Sequence, residues 1–242
     1  MNAMRDEIYQ SEEVAPASFE FNEAVARVFP DMISRSVPGY AATLRLIGSI
    51  ADRYVTPGSR VFDLGCSLGA ASFSVQRQIG GRAEITAVDL SEPMIAELRR
   101  QLAGQGIQTI HPHCGDVRET VIEHARLTLL NFTLQFIPVE DRLSLLRKIA
   151  QGTEPGGVLV LSEKICFEDP RVEEEMRSLH EAFKKENGYS DLEISRKRTA
   201  IEKVLIPETV AAHQARLQEA GFTRSQVWLQ CFNFVSLLAF RE

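Results

Sequence analysis

Cysteine is sparse in this 242-residue chain: Cys66, Cys114, Cys166 and Cys231 stand far apart, and no Cys-x-x-Cys pair occurs. That spacing argues against a zinc ribbon, a dithiol redox motif and a disulfide scaffold, and the four thiols are expected to be reduced and mostly buried. Basic charge is also in deficit, with 27 Lys and Arg against 33 Asp and Glu and a formal net charge of -6. A protein that grips long nucleic acid usually carries a basic footprint, so no direct nucleic-acid binding is expected and small-molecule chemistry is the better reading. No apolar run approaches the roughly 20 residues of a membrane span. The start of the chain, with Glu7, Glu12, Glu13 and Pro16, lacks the basic, apolar and small-residue succession of a secretory leader. The expectation is a soluble, cytoplasmic protein without membrane contact.

What is present, 44% hydrophobic and 25% charged residues, suffices for one large α/β domain over residues 1–242. Residues 1–18 are expected to be disordered, and 19–56 to form two or three short helices interrupted by Pro30, Pro38 and Gly39. From Thr56-Pro57-Gly58 onward, apolar runs at 60–64, 84–88, 108–110, 127–131 and 158–162 alternate with helical patterns beginning at Ala70, Pro93 and Asp141. Such alternation implies a parallel sheet covered by helices on both faces. The charged stretch 169–203 reads as a helical insertion, 207–220 as one more helix stopped by Gly221, and 225–230 with 232–240 as an antiparallel C-terminal hairpin. The sheet would then have seven strands.

The run Val61-Phe62-Asp63-Leu64-Gly65-Cys66-Ser67-Leu68-Gly69-Ala70 is an apolar strand that turns through two glycines into a helix. A turn without bulky side chains lets a ligand approach the backbone, and the following helix presents free amides. Many α/β proteins carry such a turn for packing alone. Asp89, at the end of the next strand, stands where an acid can bond two ribose hydroxyls, and Asp116, after the third strand, could accept from an adenine amino group. An isolated Asp more often caps a helix, but turn and acids here occur in register. The spacing Gly65-x-x-x-Gly69 lacks the dinucleotide fingerprint, which favours S-adenosylmethionine over NAD. His111-Pro112-His113-Cys114 has no nearby carboxylate cluster, so no metal is expected. Met94 and the pair Phe132 and Phe136 read as core.

The turn is similar to motif I of class I methyltransferases, with Ser67 where the usual middle Gly would stand; this should narrow the turn and bring a hydroxyl near the ligand. Further runs resemble the carboxy-S-adenosylmethionine synthase family: Val28-Phe29-Pro30-Asp31-Met32, Arg35-Ser36-Val37-Pro38-Gly39-Tyr40, Leu130-Asn131-Phe132-Thr133-Leu134-Gln135-Phe136, Leu161-Ser162-Glu163-Lys164, Asn187-Gly188-Tyr189-Ser190 and Gln230-Cys231-Phe232-Asn233-Phe234. The resemblance implies a class I methyltransferase-like, Rossmann-like fold. It also implies contacts to S-adenosylmethionine from Tyr40, Gly65, Cys66, Ser67, Asp89, Leu90, Asp116, Val117, Asn131 and Arg198. At the residue after the ribose-binding acid an Asn is expected, whereas Leu90 offers only its backbone amide and an apolar surface.

The reaction implied by the resemblance joins S-adenosylmethionine and prephenate to give carboxy-S-adenosylmethionine, phenylpyruvate and water. Prephenate releases carbon dioxide and hydroxide as its ring becomes aromatic; hydroxide removes a proton from the sulfonium methyl, and that carbon captures carbon dioxide. The family places the product upstream of a separate enzyme that completes 5-oxyacetyl uridine at the wobble position of transfer RNA. Arg198, whose guanidinium fork suits a carboxylate, would hold the prephenate carboxylate and then the new one, in its own subunit's site or a neighbour's. From composition alone, Arg196-Lys197-Arg198 reads rather as a solvated helix face, and the family match reverses that for Arg198 only. Two other functions share the turn and the acids: an ordinary methyltransferase of a small molecule or transfer RNA, which would need no prephenate, and a non-catalytic binding protein, which would turn nothing over. Apolar surface on the insertion and the N-terminal helices makes a homodimer the expected assembly.

Overall fold

The computed structural model describes residues 4–10, 19–202 and 204–242. In chain order the elements are α1 (Glu23–Ser36), α2 (Tyr40–Tyr54), β1 (Arg60–Leu64), α3 (Ala70–Ile79), β2 (Glu84–Asp89), α4 (Glu92–Gln105), β3 (Ile110–Cys114), β4 (Ala125–Asn131), α5 (Val139–Gly152), β5 (Thr153–Lys164), α6 (Pro170–Glu186), α7 (Asp191–Ile201), α8 (Val210–Ala220), β6 (Arg224–Cys231) and β7 (Phe234–Phe240). One seven-stranded sheet has the order β3-β2-β1-β4-β5-β7-β6. The first five strands run parallel, and β7 pairs antiparallel with both β5 and β6.

The two-residue period of the strands builds a core on each face. Val61, Leu127, Leu129, Val158 and Val160 pack with Ile47 of α2, Val75 of α3 and Leu98 of α4. Their neighbours Phe62, Leu64, Leu130, Leu159 and Leu161 pack with Leu145 and Ile149 of α5 and Leu217 of α8. A third cluster joins α1 to the site: Val25, Val28 and Met32 gather with Tyr9, Phe19, Leu68, Met94 and Ala200.

Helix α1 runs through Pro30, and the break between the first two helices falls instead at Val37–Pro38–Gly39, where Gly39 takes φ 78° at the N-cap of α2. The third strand lies later than the sequence indicates, over Ile110–Cys114 rather than 108–110. Pro112 sits inside it because β3 is a sheet edge with one partner, where a missing N–H is tolerated. Helix α8 starts at Val210, not 207, since Thr209 caps it by accepting from the Ala212 amide and Glu208 is drawn into a parallel bridge with Ile165. The last strand begins at Phe234 because Phe232 turns the hairpin with φ 53°.

The expected disorder of 1–18 does not hold for residues 4–10; 1–3 and 11–18 lie outside the described residues. Asp6 and Tyr9 are buried, and the Asp6 carboxylate accepts from Tyr189 Oη at 2.5 Å and pairs with Lys197 Nζ at 3.4 Å. Of the cysteines only Cys66 is buried; Cys114 is exposed, and Cys166 and Cys231 are half-buried, because three of them sit on or beside strand ends rather than under helices. The insertion is two helices, α6 and α7, the second opened by a capping box in which Ser190 and Glu193 bond each other's backbone.

Candidate active site

In an open α/β sheet a ligand crevice forms where the strand order reverses, outside the carboxyl ends of the strands. Here that point lies between β1 and β4. A cavity of about 600 Å³ opens there, within the range of small-molecule sites. All ten residues expected at the site, from Tyr40 to Arg198, line this cavity.

The turn after β1 owes its shape to glycine. Gly65 has φ 80°, and a Cβ there would lie 2.8 Å from the Thr133 Cβ and closer still to that side chain's tip. Gly69 has φ 78°, and a Cβ would meet Leu98 Cδ1 at 2.5 Å. The amides of Gly65 and Cys66 both donate to the Val88 carbonyl, stitching the turn to the end of β2. Ser67 adopts φ 50°, a left-handed conformation unusual for a residue with a side chain, and its amide donates to Asp89 Oδ2 at 2.8 Å. Its hydroxyl donates to Met94 Sδ at 3.5 Å, so it tethers the turn to α4. Phe132, with φ 63°, is a second strained residue on the cavity wall.

Asp89 also accepts from the Ser91 amide at 2.9 Å, and burial raises its carboxyl above the usual carboxylate range. Beneath it, Asp63 is fully buried and accepts from the Ser72 amide and hydroxyl at 3.1 and 2.6 Å; desolvation pushes its pKa up to about 6. Asp63 therefore holds the start of α3 through one oxygen while also lining the floor of the cavity. Asp116 is clasped by Arg118, whose Nε and Nη2 donate to it at 3.0 and 2.6 Å, and this lowers its pKa. Arg118 reaches on to Asp141 at 2.6 Å and itself lines the cavity, a neighbour that sequence reading did not anticipate. Leu90 is 74% exposed at the rim, consistent with an apolar face, while Val117 is buried.

Asn131 ends β4, and its Oδ1 is buried without a hydrogen-bond partner among the described residues. A buried orphan acceptor invites a ligand that brings an N–H donor. Tyr40, at the first turn of α2, lies 6.3 Å from the Phe132 ring; burial foremost, then Asp63, raises its pKa. Phe132 and Phe136, expected in the core, are half-buried cavity-wall residues because β4 ends at Asn131 and the chain turns across the opening. Met94 is in the core as expected.

Arg198 lines the cavity of its own chain, with Nη1 on Glu181 at 2.9 Å. Around it stand four further nitrogen-bearing side chains that sequence reading did not assign: Lys164, His180, Lys184 and Lys197. The available signal was weak: Lys164 ends a strand at the ligand-bearing edge, and His180 and Lys184 share a helix face at i, i+4. His111, by contrast, pairs with Glu84 on the exposed edge, outside the cavity.

Acceptors along the strand ends (Asp89 of β2, the orphan Oδ1 of Asn131 of β4) and cations from β5, α6 and α7 fit a ligand carrying hydroxyl, amino and carboxylate groups. A methyltransferase-domain profile matches residues 61–157. Human N-acetylserotonin methyltransferase, solved in complex with S-adenosylmethionine, superposes with a TM-score of 0.62 at 18% identity over 97% of this chain and 57% of that longer one, which supports the fold. Proteins named carboxy-S-adenosyl-L-methionine synthase from Shewanella oneidensis and a Geobacter species are each 50% identical over the full length of both chains. The chain therefore belongs to the carboxy-S-adenosyl-L-methionine synthase family of transferases, built on the class I methyltransferase fold.

Proposed function

We propose that this chain binds S-adenosylmethionine in the cavity at the β1–β4 reversal and carboxylates its methyl carbon with carbon dioxide released from prephenate, giving phenylpyruvate and water. The observation that carries the reading is one cavity lined by Asp89 at the end of β2, Asn131 at the end of β4 and Arg198 on α7. Asp89 receives the ribose hydroxyls; Asn131 Oδ1 accepts from the amino-acid end of the molecule; Leu90 and Val117 flank the adenine. Asp116 contributes its backbone, or its carboxylate once Arg118 yields.

Arg198 takes the carboxylate that is transferred, turning from Glu181 to present its fork. No side chain need act as base, since prephenate supplies the hydroxide that removes the methyl proton. The protein contributes proximity and exclusion of water, for which the enclosing aromatic residues Phe19, Phe21, Phe132 and Phe136 are suited. The product is the donor for 5-oxyacetyl modification of wobble uridine by a separate enzyme, and the acidic balance of this chain suits a protein that does not handle the RNA. A cytoplasmic homodimer completes the proposal; exposed Leu179 on α6 and Leu192 on α7 supply apolar surface for a second copy.

The test is mass spectrometry after incubation with S-adenosylmethionine, with and without prephenate. A species heavier by one carboxyl group, formed only with prephenate, is the expected result. Unmodified S-adenosylmethionine in both incubations would refute the reading.

A further inference from the structure

We propose that Lys164 and Lys184 form a second anion subsite, which takes the carboxylate that the substrate keeps, while Arg198 takes the one it gives up. This rests on the reading under Proposed function and adds to it the substrate class: a dicarboxylate held at two cationic centres.

Five nitrogen-bearing side chains line the β5–α6–α7 side of the cavity, Lys164 from the carboxyl end of β5, His180 and Lys184 from α6, and Lys197 and Arg198 from α7. Three of them are already engaged. Lys197 Nζ pairs with Asp6 and bonds Ser36 Oγ at 2.9 Å and Tyr189 Oη at 3.2 Å. His180 Nε2 lies 2.7 Å from the Ser36 carbonyl and donates to it as neutral imidazole, its pKa driven down to about 3 by burial and by Lys184. Arg198 is held by Glu181. The ammonium groups of Lys164 and Lys184 have neither hydrogen bond nor ion pair among the described residues.

Two half-buried like charges with no directly bonded carboxylate among the described residues are costly, and the cost is relieved when a carboxylate sits between them. The strain is visible in Lys184, whose pKa falls to about 7 from desolvation and then from Lys164 and Lys197. Lys164 is lowered by desolvation, with Glu173 and Glu202 acting the other way. Position agrees with the assignment. Asp89 ends β2 and Lys164 ends β5, three strand spacings away across β1 and β4, or about 14 Å. Lys164 therefore lies across the cavity from the ribose site at Asp89, on the side left for a second substrate beside Arg198.

The experiment measures steady-state kinetics with prephenate, inhibition by phenylpyruvate, and calorimetric binding of phenylpyruvate and S-adenosylmethionine to wild type, Lys164→Gln, Lys184→Gln and Lys184→Arg. Phenylpyruvate retains only the side-chain carboxylate, so it probes this subsite alone. Expected are a KM for prephenate and an inhibition constant for phenylpyruvate raised about tenfold or more in each Gln variant. The dissociation constant of S-adenosylmethionine should stay within about twofold, and Lys184→Arg should recover most of the loss. Unchanged KM and phenylpyruvate binding in both Gln variants would overturn the subsite. If one Gln variant does not fold, the other and Lys184→Arg decide. A wild-type protein that does not carboxylate S-adenosylmethionine would sink the function instead, and calorimetry with phenylpyruvate would still decide the subsite.

Discussion

Gly65→Ala tests whether the turn after β1 needs glycine for its backbone, for the approach of Thr133, or for both. The native φ of 80° is left-handed, which costs a residue with a Cβ about 1–2 kcal/mol. The new Cβ would also lie 2.8 Å from Thr133 Cβ. Relieving that overlap displaces Thr133, and overpacking of this kind costs about 1–3 kcal/mol. Together the two effects amount to roughly 2–5 kcal/mol, or a fall in Tm of about 4–20 °C for a domain of this size. Because Thr133 follows Asn131 and Phe132 across the cavity, binding of S-adenosylmethionine should weaken at least about tenfold, measured by calorimetry. Combining Gly65→Ala with Thr133→Gly separates the causes. The steric part should disappear in the double variant, giving a coupling of about 1–3 kcal/mol, while the backbone part persists. A Tm within about 2 °C of wild type together with zero coupling would refute the reasoning.

Four further outcomes are expected. Arg198→Ala should lower kcat/KM for carboxylation by about a hundredfold or more through loss of a two-point carboxylate contact, with S-adenosylmethionine binding largely retained; equal turnover would exclude the assigned role. If the Lys184 ammonium takes part in substrate binding, kcat/KM for prephenate should fall as pH rises through about 7, where Lys184 loses its proton amid Lys164, Lys197, Arg198, His180 and Glu181, and Lys184→Arg should abolish that limb of the profile. Glu163 is fully buried and its pKa is pushed up to about 8 by desolvation, so the folded chain keeps a proton that the unfolded chain releases above about 4.5; stability is lost as pH climbs through that window. Glu163→Gln should accordingly gain in Tm relative to wild type between pH 5 and 9, and a constant difference across that range would count against the burial argument. Arg142 is fully buried and donates to the carbonyls of Ile137, Gln135 and Ile206 while sharing Glu208 with Arg216, so Arg142→Met should cost about 3–5 kcal/mol in denaturant unfolding, chiefly by leaving those three carbonyls without a donor.

Period-two apolar alternation and glycine punctuation carry much of this architecture in the sequence itself. The β1 turn, Asp89 one strand later, the helical character of the insertion and the C-terminal hairpin are local features, and local backbone chemistry is what a sequence displays. Family membership was legible for the same reason, through runs such as Leu130 to Phe136. Tertiary packing decided the rest. Pro112 could enter a strand only because β3 is an edge; residues 4–10 are ordered by Tyr189 and Lys197, more than 180 positions away. Asp116 and Arg118 stand two residues apart, but only the fold brings Asp141 of α5 to the other side of the same guanidinium. The cationic side of the cavity draws one residue from β5, two from α6 and two from α7, which in sequence are scattered charges on solvated-looking stretches. Desolvation and the lack of a bonded partner among the described residues make Lys164 and Lys184 distinctive, and both are properties of a folded neighbourhood, absent from any one segment.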